Sequence, residues 1–257
     1  MCNLADTADE LQPEWDELVN NLYDGNIKAG TIDYATAVLT AKNLMQGIVE
    51  GFGDSLLTLD STSPDYGVLK NLQRNVYQFA GAKNYQTLRA LNDLLRDGDR
   101  LRTRGEFMKE ARNLLTEWNA TWQKTEYDTA VNGAINARKW NDFTRNKDIM
   151  PLLQFKIVRD ERTCPICLPF ADMVRPIGDP VWNYATPVLH FGDRCTILQL
   201  PNEKAQITPE VPPADGIPKM FRVNLAKEQL AFPPKHPYYK GVPKRKLNEF
   251  VNQNIGD

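Results

Sequence analysis

Residues 105–158, GEFMKEARNLLTEWNATWQKTEYDTAVNGAINARKWNDFTRNKDIMPLLQFKIV, contain the change of texture on which the fold turns. From Gly105 to Asn146, Phe107, Leu114, Trp118, Trp122, Thr129, Gly133, Ala137 and Trp140 fall on related faces at helical spacing, which predicts one long helix or two abutting ones. Trp118, Trp122 and Trp140 read as core residues of that helix. The small residues Thr129, Ala130, Gly133, Ala134 and Ala137 would admit another backbone at close range, although Gly133 costs up to ~1 kcal/mol of helix propensity. Past Met150-Pro151 the pattern changes. LLQFKIV (152–158) and CTILQL (195–200) have the length and the apolar, β-branched and aromatic content of strands. The expected class is therefore α+β, an N-terminal helical region with long helices followed by a small β-rich C-terminal domain.

Working outward, residues 13–24 and 32–52 read as helices. The second carries a continuous stripe of Tyr34, Ala37, Val38, Ala41, Leu44, Met45, Ile48 and Phe52, with Gly51 and Gly53 as its stop. After a turn-rich loop at 60–67, shorter helices are expected over 68–82 and 84–97. PNEKAQITPEVPPADGIP (201–218) reads as a linker too polar and Pro-rich to pack, and a short helix is expected at 244–254. The division that follows is a helical region 1–150, a β-rich core 151–200, and a Pro-rich linker and tail 201–257.

The 257 residues, 42% hydrophobic and 25% charged, are ordinary for a folded chain and exclude collagen-like, disordered and disulfide-scaffold classes. No run approaches the ~20 apolar residues of a membrane span, and the acidic N-terminus lacks the basic start of a signal peptide, so synthesis in the cytoplasm and no membrane partner are expected. The net charge of −2 conceals an asymmetry: residues 1–66 hold twelve acids against Lys28 and Lys42, whereas the remainder is basic. Different neighbours for the two ends would explain that, a basic surface at one and nucleic acid or an acidic protein at the other; ordinary solvated faces are the alternative.

Four cysteines, Cys2, Cys164, Cys167 and Cys195, in a reducing compartment point to metal or plain thiols before disulfides. Cys164 and Cys167 form a C-x2-C pair, followed by His190 and Cys195; the two-residue spacing lets both sulfurs reach one tetrahedral ion, and Cys3His is a common structural zinc set. Asp193 competes as an oxygen ligand, and reduced, partly buried thiols remain the alternative. The same residues lack the third orienting group of a Cys/His nucleophilic pair and the strand-to-helix setting of a redox C-x-x-C. Phosphate-binding glycine loops and H-E-x-x-H are also missing. No catalytic residue is assigned.

Residues 160–200, DERTCPICLPFADMVRPIGDPVWNYATPVLHFGDRCTILQL, resemble the core of the Mu F-like, or SPP1-type, phage head morphogenesis (minor head protein) family. Arg162, Cys164, Pro165 and Cys167 match its opening, Met173 to Pro176 its hairpin, Asp179, Pro180 and Trp182 its Pro-aromatic step, and His190, Arg194, Cys195 and Thr196 its closure. Asp172-Met173 stands where Asp-Gly is usual, and Asp193 takes the place of the family's first closing cysteine. Residues 118–140 and the stretch MFRVNLAKEQLAFPPKHPYY are similar to neighbouring segments of related prophage proteins. The resemblance implies a non-enzymatic role in capsid assembly near the portal. It implies portal and capsid proteins as partners, with packaged DNA as a further one, and a place in the virion head after assembly in the host cytoplasm. Two rivals are a nuclease or toxin effector using His236, Tyr238 and Tyr239, and a zinc-ribbon nucleic-acid binder using Arg159, Arg162, Arg175 and Arg194.

Overall fold

The structure is a computed structural model and describes residues 4–256. Helices α1 (Leu4–Tyr23), α2 (Tyr34–Phe52) and α3 (Pro64–Asp93) lead to a two-residue hairpin, β1 (Arg96–Asp97) and β2 (Arg100–Leu101), and then to α4 (Arg104–Arg145). Strands β3 (Leu152–Lys156), β4 (Val174–Pro176) and β5 (Thr196–Leu200) follow, and α5 (Lys244–Ile255) closes the chain. Helices dominate the N-terminal part and the three-stranded sheet lies after them, so the α+β class is as expected.

Local chemistry explains several boundaries. A reciprocal cap starts α4: the Thr103 backbone N–H donates to Glu106 Oε2 at 2.8 Å, and the Glu106 N–H donates to Thr103 Oγ1 at 3.4 Å. Asp33 caps α2 by accepting from the Thr36 N–H at 2.9 Å. Two expectations fail. Residues 68–97 form no pair of helices, because α3 is one helix of 30 residues. The charge that interrupts its apolar pattern, Lys83, is buried and bonded to Glu126 at 2.6 Å. Likewise α1 begins before Pro13, which lies inside the helix and not at its start.

The chain forms two compact units, the first from residues up to 45, 76–127 and 236 onward, the second from 46–75 and 128–235. Their boundary falls within α2, α3 and α4 and not at residue 150. In the first unit Trp15, Leu18, Leu22, Leu88, Phe107 and Leu115 make a core, and Phe250 of α5 packs on Gly81, where an added Cβ would stand 2.9 Å from the ring. Trp118 and Trp122 depart from the expected core role: they stack on each other at 5.1 Å, and Trp122 is 37% exposed.

The second unit holds the antiparallel sheet in the order β4-β3-β5, with Leu153 opposite both Arg175 and Gln199. Its core joins Phe143 from α4 and Leu153 and Phe155 from β3 with Phe170, Val181, Trp182, Leu189 and Ile197. Ile217, Phe221 and Leu225 belong to the same core, so the expected linker and tail are corrected there. The three stand four apart, a helical spacing, but Pro218 breaks the stretch and only a short 3-10 turn forms at Lys219–Phe221; each is at most 1% exposed. Thr208 also bonds the β4 backbone, its N–H donating to the Val174 carbonyl at 3.0 Å. The small-residue stripe of α4 does receive another backbone: a Cβ on Gly133 would lie 2.8 Å from Ala231 Cα.

Candidate metal centre

Two loops of the second unit converge, one after β3 and one before β5. The turn after β3 carries Cys164 and Cys167, and its form follows from backbone bonds: the N–H groups of Cys167 and Leu168 both donate to the Cys164 carbonyl, at 3.2 and 3.1 Å. The Ile166 N–H points at Cys164 Sγ at 3.4 Å, a donor that stabilises negative charge on sulfur. Arg194 grips the same turn from the loop before β5. Its guanidinium donates to both oxygens of Asp160, at 2.7 and 2.8 Å, and to the Arg162 carbonyl at 3.2 Å. That fork holds the Asp160 carboxyl down at about 2, with the Arg162 N–H assisting.

His190 and Cys195 come from the 189–195 loop. The His190 Nδ1 edge lies 2.8 Å from the Phe191 carbonyl, which fits an N–H donor there and leaves Nε2 as the lone-pair nitrogen. Nε2 faces Cys167 Sγ at 3.4 Å. Ligand atoms of Cys164, Cys167 and His190 lie within 4.8 Å of one another, and so do those of Cys167, Asp193 and Cys195. All four expected ligands line one cavity, but their ligand atoms form two sets of three that share Cys167, and Cys195 falls in the set with Asp193 and not in the one with Cys164 and His190. A group of this kind could hold a metal ion. Cys2 lies outside the described residues.

Electrostatics favour a cation. The Cys167 thiol is pushed strongly up by its hydrogen bond with Cys195 first, then by burial and the negative charge of Asp193. A bound cation reverses that bias, since a coordinating thiol gives up its proton. Thiolate and imidazole donors suit a borderline-soft ion such as zinc and not magnesium or calcium. The cavity bounded by Ile157, Arg162, Cys164, His190, Asp193 and Cys195 has a volume of about 40 Å³. An ion fits, whereas small-molecule sites are typically ~300–1,000 Å³.

The other singled-out residues lie elsewhere. His236 belongs to the first unit, 8% exposed, with Nδ1 accepting from the Tyr238 N–H at 3.2 Å and its ring edge-on to Phe79. Burial, and then the charge of Lys83, lower its pKa to about 4. The Tyr238 hydroxyl donates to Glu126 at 3.3 Å, the partner of Lys83. This buried ionic cluster was not visible in the sequence, where Lys83 and Glu126 stand 43 positions apart. Of the four arginines near the knuckle, Arg159 bonds Asp172 at 2.8 Å, Arg175 bonds Asp179 at 2.7 Å and Arg194 bonds Asp160.

No family model matches the chain, and no curated protein or solved structure matches it.

Proposed function

We propose that this protein is a minor head protein of a tailed bacteriophage, a structural assembly component working near the portal, and that zinc held by Cys164, Cys167, His190 and Cys195 staples its second unit. The observation that carries the reading is what the family-like residues do. Arg194 ties the knuckle turn through Asp160; Asp179 caps residues 180–183 by accepting from the Val181 N–H at 2.9 Å; Trp182, 1% exposed, donates its indole N–H to the Pro176 carbonyl at 2.9 Å. The Arg194 tie closes the turn that lines a cavity of about 40 Å³, which admits an ion and not a substrate, while the Asp179 and Trp182 bonds fasten the segment after β4.

The rivals have less support. A nuclease based on His236 would need that imidazole open to a substrate, and it is packed between Phe79 and Tyr238. A nucleic-acid binder needs arginines uncommitted at the knuckle, where three of four face carboxylates.

Purified virions should contain the chain, and the recombinant protein should bind the portal protein with an affinity that weakens as salt rises, since attraction between the net negative charge of residues 1–66 and a basic partner surface would be screened over ~10 Å at 0.1 M. Virions lacking the chain, together with no portal binding at low salt, would sink the proposal.

A further inference from the structure

The residue that departs from the family pattern is the one whose contacts are most informative. Asp193 is 2% exposed, and its N–H closes the turn onto the His190 carbonyl at 3.2 Å, with Gly192 in the left-handed region at φ 71. Its Oδ2 accepts from the Leu189 N–H at 2.8 Å and its Oδ1 from the Cys195 N–H at 2.8 Å. One carboxylate therefore grips the backbone immediately before His190 and at Cys195. It also lies near enough to compete as a ligand, with Oδ1 3.6 Å from Cys167 Sγ.

We infer that Asp193 is a positioning residue of the metal site and not a ligand: its carboxylate pins the 189–195 loop so that His190 and Cys195 are presented together, and Cys195 completes the set with Cys164, Cys167 and His190. The inference rests on the zinc reading above. Two arguments support it. Both carboxylate oxygens already take a backbone N–H from the loop, one from Leu189 and one from Cys195, so the loop alone fixes and satisfies the buried carboxylate without an ion. Structural zinc also closes at four donors, and three thiolates with one imidazole already leave a net negative centre, which a coordinated carboxylate would make more negative inside a buried loop.

The test uses the full chain loaded with zinc or with cobalt(II). X-ray absorption of the wild-type zinc protein should count three sulfurs and one light donor. In the cobalt form, Cys195→Ser should lose about a third of the thiolate-to-metal charge-transfer intensity, as one of three sulfurs leaves. Asp193→Asn should keep the full intensity and the tetrahedral d–d bands while zinc affinity falls ~10–100-fold, because an amide cannot accept both N–H groups. Two sulfurs and two light donors in the wild type, or full charge-transfer intensity in Cys195→Ser with altered d–d bands in Asp193→Asn, would make Asp193 the ligand and overturn the inference. Unchanged zinc affinity in Asp193→Asn would overturn the clamp. Failure of the wild type to retain either metal would instead overturn the zinc reading itself, and the clamp with it. Because the absorption measurement needs no variant, the ligand count is decided even if Asp193→Asn does not fold.

Discussion

Lys83 sits where a helix pattern ought to be apolar, and its position makes sense only once Glu126 stands against it at 2.6 Å with both side chains 6% exposed. Buried pairs of this kind cost much desolvation, so they contribute little against an apolar pair of equal volume, yet removing one partner strands the other. Lys83→Ala should therefore cost about 3–5 kcal/mol. Lys83→Met combined with Glu126→Leu should recover most of that loss in urea melts. A double variant as unstable as the single one would mean that packing, and not the stranded carboxylate, sets the cost. Nearby, His236 gives this unit a pH dependence. Its folded pKa of about 4 lies below the ordinary 6.5, so the fold holds the neutral ring. The associated stability is complete above pH 6.5 and falls as pH drops toward 4, by at most about 3 kcal/mol. Melts of the wild type and of His236→Gln between those values should diverge, the variant losing less. Parallel curves would show that other groups carry the acid sensitivity.

At the scale of elements, the clearest success of sequence reading is α4. Thr129, Ala130, Gly133, Ala134 and Ala137 announced a close backbone approach, and Ala231 makes it. Gly133→Ala removes up to ~1 kcal/mol of propensity penalty but places a Cβ against main chain, which overpacking data put at about 1–3 kcal/mol, so the net effect should be destabilising. Gly51, whose Cβ would run into the Val131 carbonyl, should tolerate alanine less well. If Gly133→Ala raised the urea midpoint, the contact would have to be looser than its geometry. What the sequence hid is equally physical. Ile217, Phe221, Leu225 and Phe232 keep a helical spacing, yet Pro218 interrupts the stretch, Pro233 and Pro234 end it, and its backbone is irregular, satisfied one group at a time while these side chains are buried. Asn75, for example, accepts from the Ala231 and Phe232 N–H groups at 3.0 and 2.7 Å, a partnership across 156 and 157 positions that no local pattern reports. In the metal centre the cysteine spacing was legible, whereas the choice between Asp193 as ligand or clamp depends on which way a carboxylate turns within its loop.

For the molecule as a whole, the size of the second unit's core sets what loss of metal should do. A β-rich piece confined to residues 151–200, with strands of five, three and five residues, would depend on zinc for its fold, as in small zinc peptides where binding supplies roughly 10–16 kcal/mol of folding free energy. Here the core is larger, since Phe143, Trp182, Phe221 and Leu225 join the sheet residues, and each large buried side chain contributes about 1.5–3 kcal/mol. Chelation should therefore open the metal loops without unfolding the unit. The knuckle at 160–168 and the 189–195 loop place Cys167, Leu189 and Cys195 in the core and pack Ile166 and Phe191 against it, while Asp160, Arg194 and Asp193 tie their backbones. Hydrogen exchange of the zinc-loaded protein, before and after a strong chelator, reads this directly. Protection should fall in those two stretches and persist in β3 and β5, where the register Leu152 to Leu200 through Lys156 to Thr196 keeps the amides bonded. The indole N–H of Trp182, buried and bonded to the Pro176 carbonyl, should also stay protected. Simultaneous loss in β3 and β5 would mean that the staple holds the whole unit. Exchange indifferent to the chelator in every stretch would mean that the thiols pack as ordinary buried sulfur and no ion contributes to the fold.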